Sequence, residues 1–220
     1  MSMPIYVPPE QLVKDRAEYA RKGIARGKSI VAVQFDDGAL LLAENPSRTL
    51  HKISEIYDRI AFAGVGRYNE FESLRVAGVR HADIKGYMYD RPDVEVRGLA
   101  NAFAQTLGNI FTHEVKPYEV EILVVGISND GSDMFKILYD GTLSDEHGFG
   151  AIGGRADDLV SHLREGYTED LALDAALELA KNAFRSLEDE RGIEGWEGAV
   201  LDRTRGRRTF RRLEAAELAD

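Results

Sequence analysis

Gly27-Lys28-Ser29 is the first grouping in this chain with chemical potential, because the same order closes the loop that cradles nucleotide phosphates. The match fails on two counts. Gly23 stands too close for the G-x-x-x-x-G-K-[ST] spacing, and the segment runs from helix into strand, the reverse of a phosphate loop. His51, His81, His113, His147 and His162 are scattered, with no i, i+4 pair, and cysteine is absent, so neither a zinc site nor a disulfide framework is indicated. A G-x-S-x-G elbow is also missing, which removes the α/β-hydrolase nucleophile. Arg203, Arg205, Arg207, Arg208, Arg211 and Arg212 are dense enough for a nucleic-acid patch, but Phe210 alone could stack on a base. Such a cluster reads better as a solvated hairpin paired with acidic neighbours. Lys52, heading the alternation Lys52-Ile53-Ser54-Glu55, reads from spacing alone as a solvated strand lysine without an obligate partner.

The elements that must position these residues follow from periodicity. Pro9 to Arg26 reads as a helix opened by Pro8-Pro9 and closed by Gly27. Its apolar side, Leu12, Ala17, Tyr19, Ala20 and Ile24, is narrow and suits docking more than core filling. Ser29–Phe35 and Ala39–Ala43, joined through Asp36-Asp37-Gly38, predict a hairpin covered on both faces. Lys52–Ile56 and Arg59–Ala63 predict a second pair of strands. Helices follow, one capped at Asn69 and carrying Phe71, Leu74 and Gly78, the next carrying Leu99 to Phe111. Tyr118–Ile127 and Met134–Tyr139 form another strand pair around Asn129-Asp130-Gly131. Two more helices then carry Leu159, Leu163 and Tyr167, and Leu173 to Leu187. Ala199–Arg203 and Arg207–Leu213 close the pattern as a hairpin. Segregated runs of strands and helices, without βαβ alternation, predict an α+β fold: a four-layer αββα sandwich of two antiparallel sheets.

Composition bounds the rest. With 220 residues, 44% hydrophobic and 30% charged, the chain fits one domain. Residues 1–8 read as a flexible N-terminal segment, 9–213 as the domain, and 214–220 as a polar tail, expected to fray. The net charge of −10 opposes general nucleic-acid affinity. The absence of cysteine suits a reducing cytoplasm, and neither a signal peptide nor a spanning segment is predicted. No membrane association and no cofactor are expected.

Several blocks in order carry a family resemblance: Pro9-Glu10-Gln11, Glu18-Tyr19-Ala20-Arg21-Lys22-Gly23, Glu44-Asn45-Pro46-Ser47-Arg48, Lys52 through Phe62, and Ile152-Gly153-Gly154. From about Pro8 to Phe184 the chain resembles the proteasome α subunit in its actinobacterial form. The resemblance implies the fold of N-terminal nucleophile hydrolases, which is the sandwich predicted above. In the related catalytic β subunits, self-cleavage exposes a threonine at the head of the first strand. Counting back from the Asp36-Asp37-Gly38 turn, that position is Lys28, while the catalytic aspartate and lysine match Glu44 and Lys52. The resemblance therefore implies a subunit without catalytic residues.

It implies instead a homo-heptameric outer ring of the 20S proteasome core, stacked on proteolytic β subunits, that controls substrate entry for protein degradation. Met1, Ser2, Met3, Pro4, Ile5, Tyr6 and Val7 would form the gate, with Tyr19 matching a tyrosine of the open-gate cluster. Lys52 would take the C-terminal carboxylate of an ATPase or other activator, aided by backbone N–H groups near Gly64 and Val65, with Glu18, Arg21 and Gly27 on the pocket wall. Two alternatives stay open: a self-processing hydrolase using Ser29 beside Lys28, and a nucleic-acid-binding module built on the basic hairpin.

Overall fold

A computed structural model describes residues 8–47, 49–128, 131–187 and 192–219. Its elements are α1 (Pro9–Ile24), β1 (Ile30–Phe35), β2 (Gly38–Glu44), β3 (Ile53–Tyr57), β4 (Ile60–Gly66), α2 (Tyr68–Met88), α3 (Val96–His113), β5 (Val120–Ile127), β6 (Ser132–Ile137), β7 (Leu143–Glu146), β8 (Phe149–Ile152), α4 (Ala156–Gly166), α5 (Leu173–Arg185), β9 (Trp196–Asp202), β10 (Phe210–Arg212) and α6 (Ala215–Leu218). One sheet runs β10-β9-β2-β1-β8 and the other β3-β4-β5-β6-β7, with antiparallel neighbours throughout.

The predicted sandwich is present. Alternate residues of β1 and β2 explain it: Ile30, Ala32, Leu41 and Ala43 turn into the core between the sheets, whereas Val31, Val33, Leu40 and Leu42 turn outward onto Leu159 and Leu163 of α4 and Ala180 of α5. The second sheet repeats the arrangement, with Phe62, Ile122 and Val124 packed on Leu74 of α2 and Phe103 of α3. Strands covered on both faces need no polar alternation, so the near-continuous apolar runs are what this layering requires.

Helix α1 closes one end of the sandwich. Ala20 and Ile24 are buried in the core between the sheets, and Arg16 Nη1 donates to the Phe111 carbonyl at 2.6 Å. Leu12 and Tyr19, predicted on its apolar side, are instead 47% and 46% exposed. The helix is tied by Arg16, Ala20 and Ile24 and leaves Leu12, Val13 and Tyr19 uncovered.

Other differences have local causes. Asn69 lies inside α2, whose N-cap is Arg67. Strands β7 and β8 were not anticipated; β7, Leu143-Ser-Asp-Glu, is an edge strand whose residues are all at least partly exposed, and so has no apolar signature. The tail is not frayed at 215–218, where Glu214 and Glu217 form a capping box and Leu218 is buried against the outer face of the first sheet. The Asn129-Asp130 turn lies outside the described residues. The basic hairpin is paired as predicted: Arg207 with Asp58 at 2.9 Å, Arg208 with Glu55 at 2.6 Å, Arg211 with Glu217 at 2.7 Å and Arg212 with Glu197 at 3.0 Å. Hydrogen bonds from Arg91 and then Arg207 hold the Asp58 carboxyl down at a pKa of about 2. None of the described helices is long and apolar enough to cross a membrane.

Candidate functional site

The described chain gathers its most unusual charge at the α1 end of the sandwich, where β2 hands over to β3. Asn45 makes the turn: its Nδ2 donates to the Leu50 carbonyl at 2.8 Å, and its Oδ1 accepts from the Ser47 N–H at 3.1 Å. Ser47 Oγ then accepts the Leu50 N–H at 3.0 Å. The chain leaves this turn at Lys52, whose N–H donates to Glu197 Oε2 at 2.9 Å, so the strand opens one residue later, at Ile53. Lys52 is therefore not the solvated strand lysine that spacing suggests.

Its ammonium is half-buried. Nζ donates to the carbonyls of Lys28 at 3.0 Å and Glu44 at 3.2 Å. Burial lowers its pKa from 10.5 to about 8; Glu197 and then Glu44 oppose that fall, and Lys28 adds to it. Lys28 Nζ itself lies 2.8 Å from Glu44 Oε1. The three positions matched to a catalytic threonine, aspartate and lysine are thus adjacent, but two of them are cations and none is a hydroxyl or thiol.

Among the other predicted residues, Gly27 belongs here. A Cβ on it would lie 2.6 Å from Val65 Cγ1 and 3.2 Å from the Gly66 nitrogen, so glycine is what lets the α1–β1 connection press on the end of β4. Gly64 requires a correction: its N–H donates to the Lys52 carbonyl at 3.0 Å and so cannot serve an incoming carboxylate. Val65 is buried, at 1% exposure. Glu18 and Arg21 are on the exposed side of α1, with the Arg21 guanidinium 5.9 Å from the centre of the Tyr139 ring. Tyr19 lies nearby, its ring centre 5.8 Å from Lys116 Nζ. Met1 to Val7 lie outside the described residues.

Ser29 is poorly placed as a nucleophile. It is buried at 8% exposure, its Oγ accepts the Arg155 N–H at 3.3 Å, and its chain continues into α1, whose Ala20 and Ile24 fill the core between the sheets.

Two groups escaped sequence reasoning. Glu197 is a lone carboxylate in the apolar run Trp196 to Leu201, and that position in a buried strand was the available signal. Glu70 is buried at 7% exposure, accepts from Lys116 Nζ and from the Glu119 N–H, and shares Lys116 with Glu119 at 3.2 Å. Arg67 completes that network at 3.0 Å from Glu119. Nothing in the spacing of these residues joins α2 to the segment before β5.

Comparison with known proteins agrees with this geometry. A family model described as "Proteasome subunit" matches residues 24–201. The protein named "Proteasome subunit alpha" from Thermomonospora curvata is 56% identical over 224 residues, covering 100% of this chain and 97% of the relative. Its namesake from Kineococcus radiotolerans is 56% identical over 230 residues, with 100% and 97% covered. The namesake from Thermobifida fusca is 53% identical over 224 residues, with 100% and 90% covered. With the sandwich, the intact α1 and the Lys28, Glu44 and Lys52 cluster at its mouth, these matches place the chain in the proteasome subunit family, among its α-type members.

Proposed function

We propose that this chain is a non-catalytic subunit of the outer ring of a 20S proteasome core: seven copies form the ring, β subunits supply proteolysis, and activators dock at Lys52. The observation that carries the reading is the Lys52 ammonium. An ammonium has three N–H donors, and two of them are directed at the carbonyls of Lys28 and Glu44. The third can meet a carboxylate in a charge-assisted hydrogen bond. Partial burial strengthens that bond, and the pKa of about 8 leaves the ammonium protonated at neutral pH.

The uncovered apolar side chains support assembly. Leu12 and Val13 on α1, and Ile84, Tyr87, Met88 and Tyr89 at the end of α2, are 47% to 91% exposed. Apolar groupings of this kind on soluble proteins mark contact surfaces. In a ring, the exposed Glu18 and Arg21 of one subunit's α1 complete the wall of its neighbour's Lys52 site, and residues 1–7 with Tyr19 form the gate. A cytoplasmic setting follows from the same reading.

Native mass spectrometry of the chain, alone and mixed with a candidate β subunit, tests this directly when peptidase activity is followed in parallel. The expected result is an uncut chain, silent alone, that enters an active four-ring particle. A truncated chain with activity of its own would overturn the reading and restore Ser29. In the same particle, deletion of residues 1–7 should raise activator-independent peptide hydrolysis several-fold; an unchanged rate would remove the gate.

A further inference from the structure

The Lys52 ammonium points where its backbone sends it; the Lys52 carbonyl accepts the Gly64 N–H of β4, and the Lys52 N–H is held by a carboxylate. Glu197 lies 145 residues away on β9 and is 8% exposed. Its Oε2 accepts from Asn45 Nδ2 at 2.7 Å and from the Lys52 N–H at 2.9 Å. Its Oε1 accepts from the Ile53 N–H at 3.1 Å and from Arg212 Nη1 at 3.0 Å, with His51 Nδ1 at 3.3 Å. Arg212 Nη2 also donates to the Ile53 carbonyl at 2.8 Å, clasping the same residue from its other side.

A carboxylate offers about four acceptor sites, and here each oxygen is engaged by at least two donors. A buried anion costs several kcal/mol unless it is satisfied in this way, so the position tolerates little besides glutamate while these donors face it. The donors are not spread over the fold. Three of them, Asn45 Nδ2 and the N–H groups of Lys52 and Ile53, belong to the nine residues that carry the chain from the end of β2 into β3 with Lys52 at the exit.

We infer that Glu197 is the positioning residue of the carboxylate-binding site: by gathering Asn45, Lys52 and Ile53 on one buried carboxylate, it fixes the direction from which the Lys52 ammonium meets the free C-terminal carboxylate of a partner polypeptide. This rests on the reading of Lys52 given above. A rival role is purely electrostatic, and its consequences have the opposite sign. Glu197 repels an incoming carboxylate, so if charge were its whole contribution, neutralising it would tighten binding wherever Lys52 remains protonated. As a positioning residue, its loss weakens binding even there. The charged groups facing Lys52 are Lys28, Glu44 and Glu197, with His51 and Arg212 beside Glu197.

The test uses the full chain in the assembly it forms, with a fluorescein-labelled Gly-Ser-Gly-Ser-Ala-Leu peptide bearing a free C-terminal carboxylate and the same peptide as its C-terminal amide. Fluorescence anisotropy at pH 6, well below the Lys52 pKa of about 8, gives the ratio of the two affinities. The wild-type protein should prefer the carboxylate by at least about tenfold. Glu197→Gln should reduce that preference about tenfold at pH 6, because an amide nitrogen then faces N–H donors and the turn loses its anchor. Should Glu197→Gln fail to assemble, Arg212→Gln serves instead. It removes the contacts of this 40% exposed side chain to Glu197 and to the Ile53 carbonyl and should reduce the preference about threefold. An unchanged or increased preference in an assembled variant would overturn the inference. A wild-type protein that does not distinguish the two peptides would overturn the Lys52 reading itself.

Discussion

Lys52→Ala is expected to abolish activator-stimulated degradation by the reconstituted particle while leaving the particle's assembly intact. The substitution removes the half-buried ammonium that Lys28 and Glu44 hold by their carbonyls, and it leaves those carbonyls at a water-accessible mouth. Loss of one partner from a desolvated charge pair costs at least about 2 kcal/mol, or roughly thirtyfold in affinity. Lys52→Arg should not restore docking, because a planar guanidinium cannot reproduce a compact ammonium seated between two carbonyls. Stimulation unchanged in Lys52→Ala would sink the pocket assignment.

The wild-type protein should show the matching pH profile. In the proposed reading the ammonium is the docking form, so affinity should be fully present below a pKa of about 8 and fall about tenfold per pH unit above it. The stability effect runs the other way. The pKa is lowered from 10.5 in the unfolded chain, so between about 8 and 10.5 the unfolded state binds the extra proton, and the folded chain gains stability from this group as pH rises. Loss of docking near pH 8 with an unchanged or higher melting temperature would separate deprotonation from unfolding. Docking that stays level to pH 10 would remove Lys52 from the contact.

What could be read beforehand followed from how locally each feature is encoded. The β1–β2 hairpin was legible because its apolar runs and Asp36-Asp37 turn are contiguous, and Phe35 pairs with Gly38 across two residues. The pairing of the arginine cluster was legible in kind, since a basic hairpin in an acidic chain must find carboxylates nearby. Its partners were not, because Asp58 and Glu55 lie about 150 residues earlier. Lys52 shows the limit most clearly. Its spacing describes a solvated strand residue, and only the family resemblance singled it out. Its actual character comes from Glu197, Lys28 and Glu44, which three separate strand ends bring together. The pairing of edge strands was also illegible: Leu143-Ser-Asp-Glu is a strand because β6 offers it a free edge, and its own side chains carry no such instruction.

Gly66→Ala should be strongly damaging, and the reason ties the fold to the site. Gly66 ends β4 with φ at +115°, a conformation that side chains rarely adopt, and a Cβ there would stand 1.9 Å from the Glu119 carbonyl oxygen. The obstacle is backbone, so no rotamer change relieves it. That carbonyl accepts the Arg67 N–H at 3.0 Å, while the Glu119 side chain pairs with Arg67 and Lys116 and packs where a side chain on Gly23 of α1 would otherwise sit. Strain and steric displacement together should cost at least about 3 kcal/mol. In a chain of this size that lowers the melting temperature by roughly 6–12 °C, readable by circular dichroism. The displacement would not stay local. Gly27 lies against Val65 and the Gly66 nitrogen, and the next residue, Lys28, supplies one of the two carbonyls that hold Lys52. Gly66→Ala should therefore also weaken carboxylate docking at temperatures where the chain is folded, whereas Gly206→Ala, also at positive φ but with open space around its Cβ, should leave docking unchanged. A Gly66→Ala protein that melts within about 2 °C of wild type would show that the β4 end moves freely, and the close packing of α1, β4 and the Lys52 turn could then not be what holds the site.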